Sequence, residues 1–407
     1  MRAVKSGILH AAYWPGYFRK FVRSLDFFNI DYRFFYGYSF PPQSVCLILS
    51  EKCNLRCRMC DIGYKNAHSG EAGSQLVQSI TSGPDKMNLQ DWFRLIDDLA
   101  RFTPKPLVLL TGTEPFLYLH IREVIEHIAA AGLRLHITTN GTLLEAHAPW
   151  LASAFQTSSA LDITVSLDGL EDVHDAIRGV PGTFVHAIRG IEAFAKFSKE
   201  LCGQPAPVNI TCTVSDCNCR GLEVFVDWIV EQELPVASIT FNHLWFKDAG
   251  IVRRHNEQCG KMFPVAEENI RGFDIRDIDM LAAFEQIQSV RRRHRGKLRI
   301  HQMPELSRKE ASAYYSDPCR FVFYDRCTAL WRNVAVTPKG KVIVSPLCFL
   351  PPLGNAKDEP FSKLWNGSHA RSLRHKLKQT KAFPACARCC MLFGSKPKYY
   401  KLKDWLG

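Results

Sequence analysis

A chain of 407 residues and 46.3 kDa is long enough for one large domain with an appendage or for two ordinary domains, and its 46% of hydrophobic residues suffice for a sizeable core. No apolar run approaches the length that spans a bilayer, and the N-terminus lacks a long apolar stretch and a cleavage site, so we expect a cytoplasmic protein. In a reducing compartment, 15 cysteines indicate metal or redox chemistry rather than disulfides.

The formal net charge of +12 fits an anionic substrate, an acidic electron donor or nucleic acid. Its basic runs, at 291–295 and 396–398, are more typical of a solvated surface, and we expect no nucleic-acid binding. The segment 13–40 is dense in aromatic residues, with Arg19 and Lys20 interleaved. It is interpreted as an N-terminal helix that docks on the main domain, in preference to contact with a membrane surface.

From residue 44 onward the apolar pattern predicts alternating strands and helices. Six strands are expected, at 45–49, 106–110, 135–138, 161–165, 208–214 and 237–241. Helices are expected between them, at about 88–99 with Asn88 as N-cap, 120–131, 143–155, 183–201 and 222–233. Six strand and helix units predict an α/β fold, a partial (β/α)6 barrel whose active site lies at the C-terminal ends of the strands.

After residue 248 the apolar periodicity weakens, apart from one helix near 278–293. Cysteine density rises again after residue 318, and a hairpin is predicted over 333–344 around the turn Pro338-Lys339-Gly340. The predicted organisation is an N-terminal helical and aromatic segment (1–43), the partial barrel (44–248), a connector (249–317), a small C-terminal cysteine-rich module (318–395) and a basic tail (396–407).

Three cysteines, Cys53, Cys57 and Cys60, follow the first predicted strand with gaps of three and two residues. Three thiolates on one short loop hold three corners of a cubane [4Fe-4S] cluster, whereas a closed electron-transfer cluster uses four. The fourth iron is then open to an external ligand. The spacing therefore predicts a reactive iron-sulfur site.

This spacing and its flanks resemble the radical S-adenosylmethionine superfamily, although Met59 stands where an aromatic residue usually precedes the third cysteine. The resemblance implies that the open iron binds the amino and carboxylate groups of S-adenosyl-L-methionine. It implies that the reduced cluster cleaves this cofactor to methionine and a 5′-deoxyadenosyl radical, which takes a hydrogen atom from the substrate. A reducing electron donor, such as a flavodoxin or ferredoxin, is implied as a partner.

Polar residues follow the second, third and fourth predicted strands, and the resemblance assigns them to the cofactor. The candidates are Gly112, Thr113, Glu114, Thr138, Asn140, Ser166, Asp168 and Arg178. The first three resemble the family's Gly-Gly-Glu-Pro segment, which binds the cofactor's amino group, with Thr113 in place of the second glycine. Ser166, Asp168 and Arg178 resemble positions that hold its ribose and carboxylate, and a guanidinium is a bidentate partner for a carboxylate. The residues that carry catalysis beyond cofactor binding stay unassigned.

The C-terminal module carries four further cysteines, Cys327, Cys348, Cys386 and Cys389. Four thiolates complete either a closed iron-sulfur cluster or a zinc site. Their flanking segments resemble the SPASM and Twitch auxiliary-cluster modules, here in the one-cluster Twitch form. That resemblance implies a second [4Fe-4S] cluster, with Cys319 and Cys390 left over as alternative ligands.

The expected function is therefore a radical enzyme whose auxiliary cluster assists an oxidation, with a small polar alcohol as the first candidate substrate. The alternative is maturation of a peptide by crosslinking or oxidising a side chain, although no dedicated peptide-recognition domain is evident in the first 45 residues. Lipid modification rests only on the aromatic N-terminus. The competing class, a non-catalytic protein with structural zinc, would leave Glu114, Ser166 and Arg178 unexplained.

Overall fold

The computed structural model describes residues 30–68, 77, 80, 86–157, 161–265, 274–322 and 326–393. Its strands are β1 (Ser44–Leu47), β2 (Leu107–Leu110), β3 (Arg134–Thr139), β4 (Leu161–Ser166), β5 (Val208–Val214), β6 (Val236–His243), β7 (Arg299–Met303), β8 (Asn333–Val336), β9 (Lys341–Ile343) and β10 (Gly354–Asn355). They form one ten-stranded sheet in the order β10-β9-β8-β1-β2-β3-β4-β5-β6-β7. Strands β1 to β7 lie side by side in chain order and run parallel.

Helices join most successive strands of this sheet. Those in the described residues are α1 (Ile30–Phe34), α2 (Asp61–Ala67), α3 (Leu89–Ala100), α4 (Ile121–Ala130), α5 (Leu144–Thr157), α6 (Glu171–Arg178), α7 (Thr183–Cys202), α8 (Leu222–Glu231), α9 (Ala249–Cys259), α10 (Met280–Arg293), α11 (Arg308–Ser316), α12 (Phe361–Trp365), α13 (Ser368–Thr380) and α14 (Cys390–Phe393). This pattern of parallel strands and helices confirms the predicted α/β class.

The six strands predicted from apolar runs are confirmed as β1 to β6. Burial alternates along β3 and along β4. Ile137 and Ile163 are buried, whereas the neighbours of each isoleucine on its own strand are half-buried. The predicted start of α3 is confirmed as well. Asn88 accepts a hydrogen bond from the Asp91 N–H at 2.9 Å, and the Asp91 carboxylate accepts one from the Asn88 N–H at 2.9 Å. This reciprocal pair satisfies two backbone donors that a helix start leaves open.

The interval 249–317, predicted as a connector with one helix, contains three α-helices and a strand in its described residues, 249–265 and 274–317. Helix α10 is the predicted one, and α9 and α11 flank it. Strand β7 pairs in parallel with β6, from Arg299 opposite Ser238 to Met303 opposite Asn242. The parallel sheet therefore continues one strand beyond the predicted six.

The predicted hairpin of the cysteine-rich module is confirmed, with β8 antiparallel to β9 and Ala335 opposite Ile343. Strand β8 also pairs in parallel with β1, with Asn333 opposite Ser44. Strand β1 leads into the loop of Cys53, and β8 follows shortly after Cys327. The two cysteine-rich regions are therefore anchored on adjacent strands.

Residues 30–40 are the described part of the predicted N-terminal segment, and they lie against the cysteine-rich module. The buried side chains of Asp31 and Arg332 form an ion pair, with 2.9 Å between Oδ2 and Nη1, and the ring of Tyr32 meets Trp331 edge-on at 4.8 Å. The rest of that segment (1–29) and the predicted basic tail (396–407) lie outside the described residues. Among the helices that are described, none is both long and apolar enough to cross a bilayer.

Candidate active site

The loop between β1 and α2 carries Cys53, Cys57 and Cys60. Cys57 is buried, and the other two are half-buried against an apolar patch that includes Ile48 and Ile62. Burial raises the pKa of Cys53 to about 11 and that of Cys60 to about 12, and the nearby charge of Cys57 raises both as well. The three thiols thus lie close enough to influence one another. This arrangement fits a cluster held at three corners, whose binding displaces the thiol protons.

Two main-chain hydrogen bonds fix this cysteine loop to the end of α6. The Arg56 N–H donates to the Arg178 carbonyl at 3.0 Å, and the Arg58 N–H donates to the Ile177 carbonyl at 2.9 Å. The helix then stops at Gly179, where φ is +71° and an added Cβ would lie 2.5 Å from the Arg56 carbonyl oxygen. Glycine is required there because a side chain would push the loop away from the helix.

Replacing Gly179 by alanine is expected to loosen the cysteine loop, and Gly182 provides a matched control. Both glycines have positive φ, +71° and +79°, but nothing lies within 4 Å of a Cβ at Gly182. Both variants share the backbone strain, so only Gly179→Ala should also clash with Arg56. We expect it to lower the thermal unfolding midpoint further than Gly182→Ala and to reduce the bound iron. Equal losses in the two variants would show that the close approach is unimportant.

Arg178, the last residue of α6, joins Cys57 to a buried carboxylate. Its Nη1 donates to the Cys57 sulfur at 3.8 Å, and its Nη2 lies 2.7 Å from Oδ2 of Asp168. Asp168 is fully buried, and its Oδ1 accepts a hydrogen bond from the Thr213 N–H at 2.8 Å. Burial raises the pKa of Asp168, while Arg178 and the Thr213 N–H oppose that rise. The guanidinium therefore sits where it favours the thiolate form of Cys57.

Glu114 follows β2 and clamps the end of β3. Its Oε1 accepts hydrogen bonds from the Thr139 hydroxyl at 2.8 Å and the Phe116 N–H at 3.2 Å, and its Oε2 accepts one from the Asn140 N–H at 2.8 Å. Burial nevertheless raises the pKa of Glu114 to about 7, because desolvation of the carboxylate outweighs these donors. The site thus holds a carboxyl group that titrates near neutral pH.

The raised pKa of Glu114 predicts a loss of stability as pH increases. The group takes up protons more readily in the folded protein, where its pKa is about 7, than in the unfolded chain, where a glutamate has a pKa of 4.5. Its contribution is therefore complete below pH 4.5 and is lost as pH rises through 7. In urea unfolding of the cluster-free protein, the stability of the wild type relative to Glu114→Gln should fall by about 3 kcal/mol across this range. Parallel pH profiles of the two proteins would contradict the assignment.

Other predicted cofactor residues tie the strand ends to the cysteine loop. The Thr113 hydroxyl donates to the Ser50 carbonyl at 2.9 Å, and the Asn140 amide donates to Oδ1 of Asn54 at 2.8 Å. Gly112 has a φ of +101°, and a Cβ there would lie 3.0 Å from the Ile48 side chain. These contacts hold the loops after β1, β2 and β3 as one unit.

Thr138 and Ser166 lie on the polar face of the sheet, where the half-buried residues of β3, β4 and β5 carry hydrogen-bonding side chains. The Thr138 hydroxyl lies 3.3 Å from Nε2 of His136. On the same face, four side chains form a chain of hydrogen bonds across four strands, namely His136, Asp162, Asn209 and Ser238, at 3.1, 2.7 and 2.6 Å in turn. This face is a polar surface that extends from β3 to β6.

Two residues that sequence reasoning missed support the pair of Asp168 and Arg178. Nδ1 of the buried His174 accepts a hydrogen bond from the Asp168 N–H at 3.1 Å, and burial lowers the pKa of His174 to about 3. Asp175 accepts hydrogen bonds from the backbone N–H groups of residues 182 and 184 at the start of α7. The four-residue spacing of His174 and Arg178 places both on one helix face and was the available signal.

The four predicted auxiliary cysteines come together in the C-terminal module. Cys348 and Cys386 are influenced by the charges of Cys327 and Cys389, and burial raises the pKa of both. Cys390 lies beside them, since its thiol is hydrogen-bonded to Cys389 and lowers the pKa of that residue to about 7. The structure thus groups five thiols, one more than a closed cluster uses.

The remaining predicted candidate, Cys319, is half-buried in the segment that Arg388 contacts. Its sulfur is 3.6 Å from a Cβ position at Gly250, at the start of α9. Arg388, within the final Cys-x-x-Cys, is fully buried and donates to the backbone carbonyls of Tyr314, Asp317 and Arg320. Arg388 therefore holds the backbone of the segment around Cys319 in place and does not face solvent.

Lys247, just after β6, lies between the two cysteine groups. It is largely buried, which lowers its pKa, while the charges of Cys389, Cys348 and Asp61 raise it. Asp61 directly follows Cys60, so Lys247 is within electrostatic range of both groups. Within the described ranges, no three His, Cys, Asp or Glu side chains converge as a single metal ion requires. A four-iron cluster instead takes each thiolate at a different iron.

Comparison with known proteins agrees with this geometry. The family model of the radical SAM superfamily matches residues 47–204, and the model of the iron-sulfur cluster-binding SPASM domain matches residues 327–390. Fe-coproporphyrin III synthase of Methanosarcina barkeri is 28% identical over 207 residues, which cover 50% of this chain and 44% of that protein. The subtilosin biosynthesis protein AlbA of Bacillus subtilis is 21% identical over 388 residues, covering 90% of this chain and 71% of AlbA.

A solved structure shares the fold. Streptococcus suis SuiB bound to its precursor peptide SuiA superposes with a TM-score of 0.56 and 14% identity, over 91% of this chain and 74% of SuiB. The chain spans less than half the length of the synthase from Methanosarcina. The chain therefore carries a radical SAM domain and a SPASM domain. The radical SAM domain binds a [4Fe-4S] cluster and S-adenosylmethionine, and the SPASM domain is an auxiliary iron-sulfur cluster-binding domain. The match to the SPASM domain therefore replaces the interpretation of the C-terminal cysteines as a structural zinc site.

Proposed function

We propose that this chain is an oxidising radical enzyme whose substrate is a small polar alcohol. The observation that carries the proposal is the direct link from Cys57 through Arg178 to the buried Asp168, at the strand ends where parallel α/β folds bind their ligands. When bound, the reduced cluster and S-adenosylmethionine supply a 5′-deoxyadenosyl radical that abstracts a hydrogen atom. The chain's own residues bind, orient and exclude water around that event.

The predicted cofactor residues then divide into two roles. Arg178 offers a guanidinium for the cofactor carboxylate, and the half-buried hydroxyl of Ser166 ends β4 where a ribose would lie. Glu114 places negative charge near the cofactor amino group. Through Thr139 and Asn140 it also holds the loop in place. The Glu114 carboxylate thus serves both to bind the cofactor and to position the loop after β3.

The polar face of the sheet supports an uncharged substrate. Apart from the pair of His136 and Asp162, the half-buried positions of β3 to β5 carry hydroxyls and amides such as Thr164 and Thr211, and Asn242 on β6 is half-buried as well. A hydroxyl group donates and accepts hydrogen bonds and matches such a surface. His136, oriented by Asp162, is suited to accept the hydroxyl proton that leaves when an alcohol carbon is oxidised.

The auxiliary cysteines support a net oxidation. A closed cluster on Cys327, Cys348, Cys386 and Cys389 would accept the electron that remains on the substrate after hydrogen abstraction. The pairing of β8 with β1 anchors this cluster on the strand next to the catalytic loop. A flavodoxin or ferredoxin is proposed as the donor that reduces the catalytic cluster, since the net charge of +12 suits an acidic partner.

Peptide maturation is the second candidate. It is favoured by the match to AlbA, which covers 90% of this chain, and by the fold shared with SuiB in its complex with a precursor peptide. A peptide would present a side chain to the same polar face. The two proposals share the radical step and differ only in the substrate.

The substrate class can be tested by following deuterium. Source cells are grown in deuterated water, and their extract is split by ultrafiltration into small molecules and peptides. Each fraction is incubated with the reduced, reconstituted enzyme and S-adenosylmethionine, and 5′-deoxyadenosine is analysed by mass spectrometry. Transfer from the small-molecule fraction supports the alcohol, and transfer from the peptide fraction alone would overturn it in favour of maturation.

A further inference from the structure

A turn over residues 33–38 presents three aromatic rings to solvent. Phe34 is 65% exposed, Tyr36 79% and Tyr38 48%, and they fall within the five consecutive residues that begin with the last residue of α1. The turn packs on α13 of the cysteine-rich module. None of its residues is assigned a role in the proposed reaction.

The backbone of the turn is held by specific contacts with α13. Tyr36 and Gly37 have φ of +47° and +84°, and a Cβ on Gly37 would lie 2.8 Å from the Arg371 carbonyl oxygen. The Gly37 carbonyl accepts a hydrogen bond from Nη1 of the buried Arg374 at 3.0 Å. Lys378 donates to the Arg33 carbonyl at 2.8 Å. These contacts fix the backbone and thereby the direction of the rings.

The positive φ of Tyr36 is an energetically unfavourable backbone conformation for a tyrosine. A bulky residue with positive φ is a backbone outlier, and glycine or asparagine is the usual occupant of such a position. The Tyr36 side chain is also the most exposed of the three rings. Strain of this kind persists where it serves a function, so the exposed ring is the feature to be explained.

The surroundings of the turn are basic. Arg33 is exposed on it, Lys378 contacts its backbone, and the guanidinium of Arg371 stacks over the Tyr38 ring at 4.6 Å. The acidic residue of the turn region, Asp31, is buried in its pair with Arg332. The described part of this face therefore combines exposed rings with positive charge.

The sequence extends this character on both sides. Residues 1–25 contain five Lys and Arg and no acidic residue, and residues 360–403 contain eleven Lys and Arg and no acidic residue. Aromatic residues are interspersed in both stretches, as at Tyr17, Phe18, Tyr399 and Tyr400. Interleaved cations and aromatic rings match the headgroup level of an anionic bilayer, where tyrosine rings lie at the interface and Lys and Arg meet the lipid charges.

We propose that the aromatic turn and the adjoining face of α13 dock on an anionic lipid surface. Tyr36, Phe34 and Tyr38 enter the boundary between headgroups and acyl chains, and Arg33, Arg371 and Lys378 meet the anionic headgroups. This is contact with a surface and requires no segment that spans the bilayer. It goes beyond the proposed reaction, because it places the enzyme at a membrane whatever its substrate is.

The test is sedimentation of the full chain with vesicles of phosphatidylcholine, alone or mixed with phosphatidylglycerol. Binding is expected only to the mixed vesicles and is expected to weaken as salt increases. Arg33→Gln should weaken it about fivefold, because each basic residue near such a surface contributes about that factor. Tyr36→Gly should weaken it comparably while keeping or raising the unfolding midpoint, because glycine tolerates the positive φ.

Val224→Ser provides the control, since Val224 is 60% exposed on α8 and should leave vesicle binding unchanged. Equal binding to neutral and anionic vesicles, or undiminished binding by both turn variants, would overturn the proposal. If the full chain binds no vesicles and the turn variants instead weaken binding of an acidic flavodoxin, the face is a protein-docking surface and the lipid proposal is wrong. None of these readouts depends on enzymatic activity, so they are independent of the proposed function.

Discussion

Replacement of Cys53, Cys57 and Cys60 together by alanine is expected to halve the iron bound after anaerobic reconstitution, from about eight to about four atoms per chain. The expectation follows from the two separate cysteine groups, one on the loop after β1 and one in the C-terminal module. Loss of the loop thiols removes the catalytic cluster and leaves the auxiliary one. Iron and sulfide analysis with electron paramagnetic resonance of the reduced protein measures both.

Two further variants make this result specific. The pair Cys386→Ala and Cys389→Ala should remove the other half of the iron, and Cys202→Ala, at the end of α7, should remove none. About four atoms in the wild type that fall to none would leave a single cluster and remove the oxidative mechanism. Unchanged iron in the triple variant would contradict the assignment of the loop.

Asp168→Asn is expected to destabilise the folded protein by about 3–5 kcal/mol, since it leaves the buried guanidinium of Arg178 without its counterion. The Oδ1 contact with the Thr213 N–H survives in asparagine, so the loss reports on the charge. The cysteine loop is hydrogen-bonded to the same end of α6. The amount of iron incorporated should therefore decrease together with the stability. Urea unfolding of the cluster-free protein measures the first effect directly.

The exposed pair of Asp274 and Arg276 is the matched control, and Asp274→Asn should change stability little. The double variant Asp168→Asn with Arg178→Gln should recover part of the loss, because no buried charge remains. A loss no larger than that of Asp274→Asn would show that the ion pair between Asp168 and Arg178 contributes nothing.

The local pattern of apolar residues in the sequence was sufficient to predict strands β1 to β6. Each of β1 to β6 contains apolar residues in a run or in alternation, which a local pattern can detect, and Asn88 is a recognisable N-cap at the start of α3. Strand β7, Arg299–Met303, is mostly polar, and its place follows from pairing with β6 rather than from its own residues. The pairing of β8 with β1 joins segments nearly 300 residues apart and has no local signal.

The same distinction applies to the site. The cysteines and the strand-end residues were predictable because short motifs carry them. The clamp that Glu114 forms with Thr139 and Asn140, and the support of Asp168 by His174, depend on how neighbouring strand ends and α6 meet in space. Such contacts arise from tertiary packing, and a single sequence does not encode them at a fixed spacing.

The measurement that tests the central claim most directly is cleavage of S-adenosylmethionine by the reduced, reconstituted protein under anaerobic conditions. We predict 5′-deoxyadenosine and methionine from the wild type and neither from the triple variant of Cys53, Cys57 and Cys60. Absence of 5′-deoxyadenosine from a wild-type protein that holds its iron, or equal amounts from both proteins, would contradict the assignment of this chain as a radical enzyme.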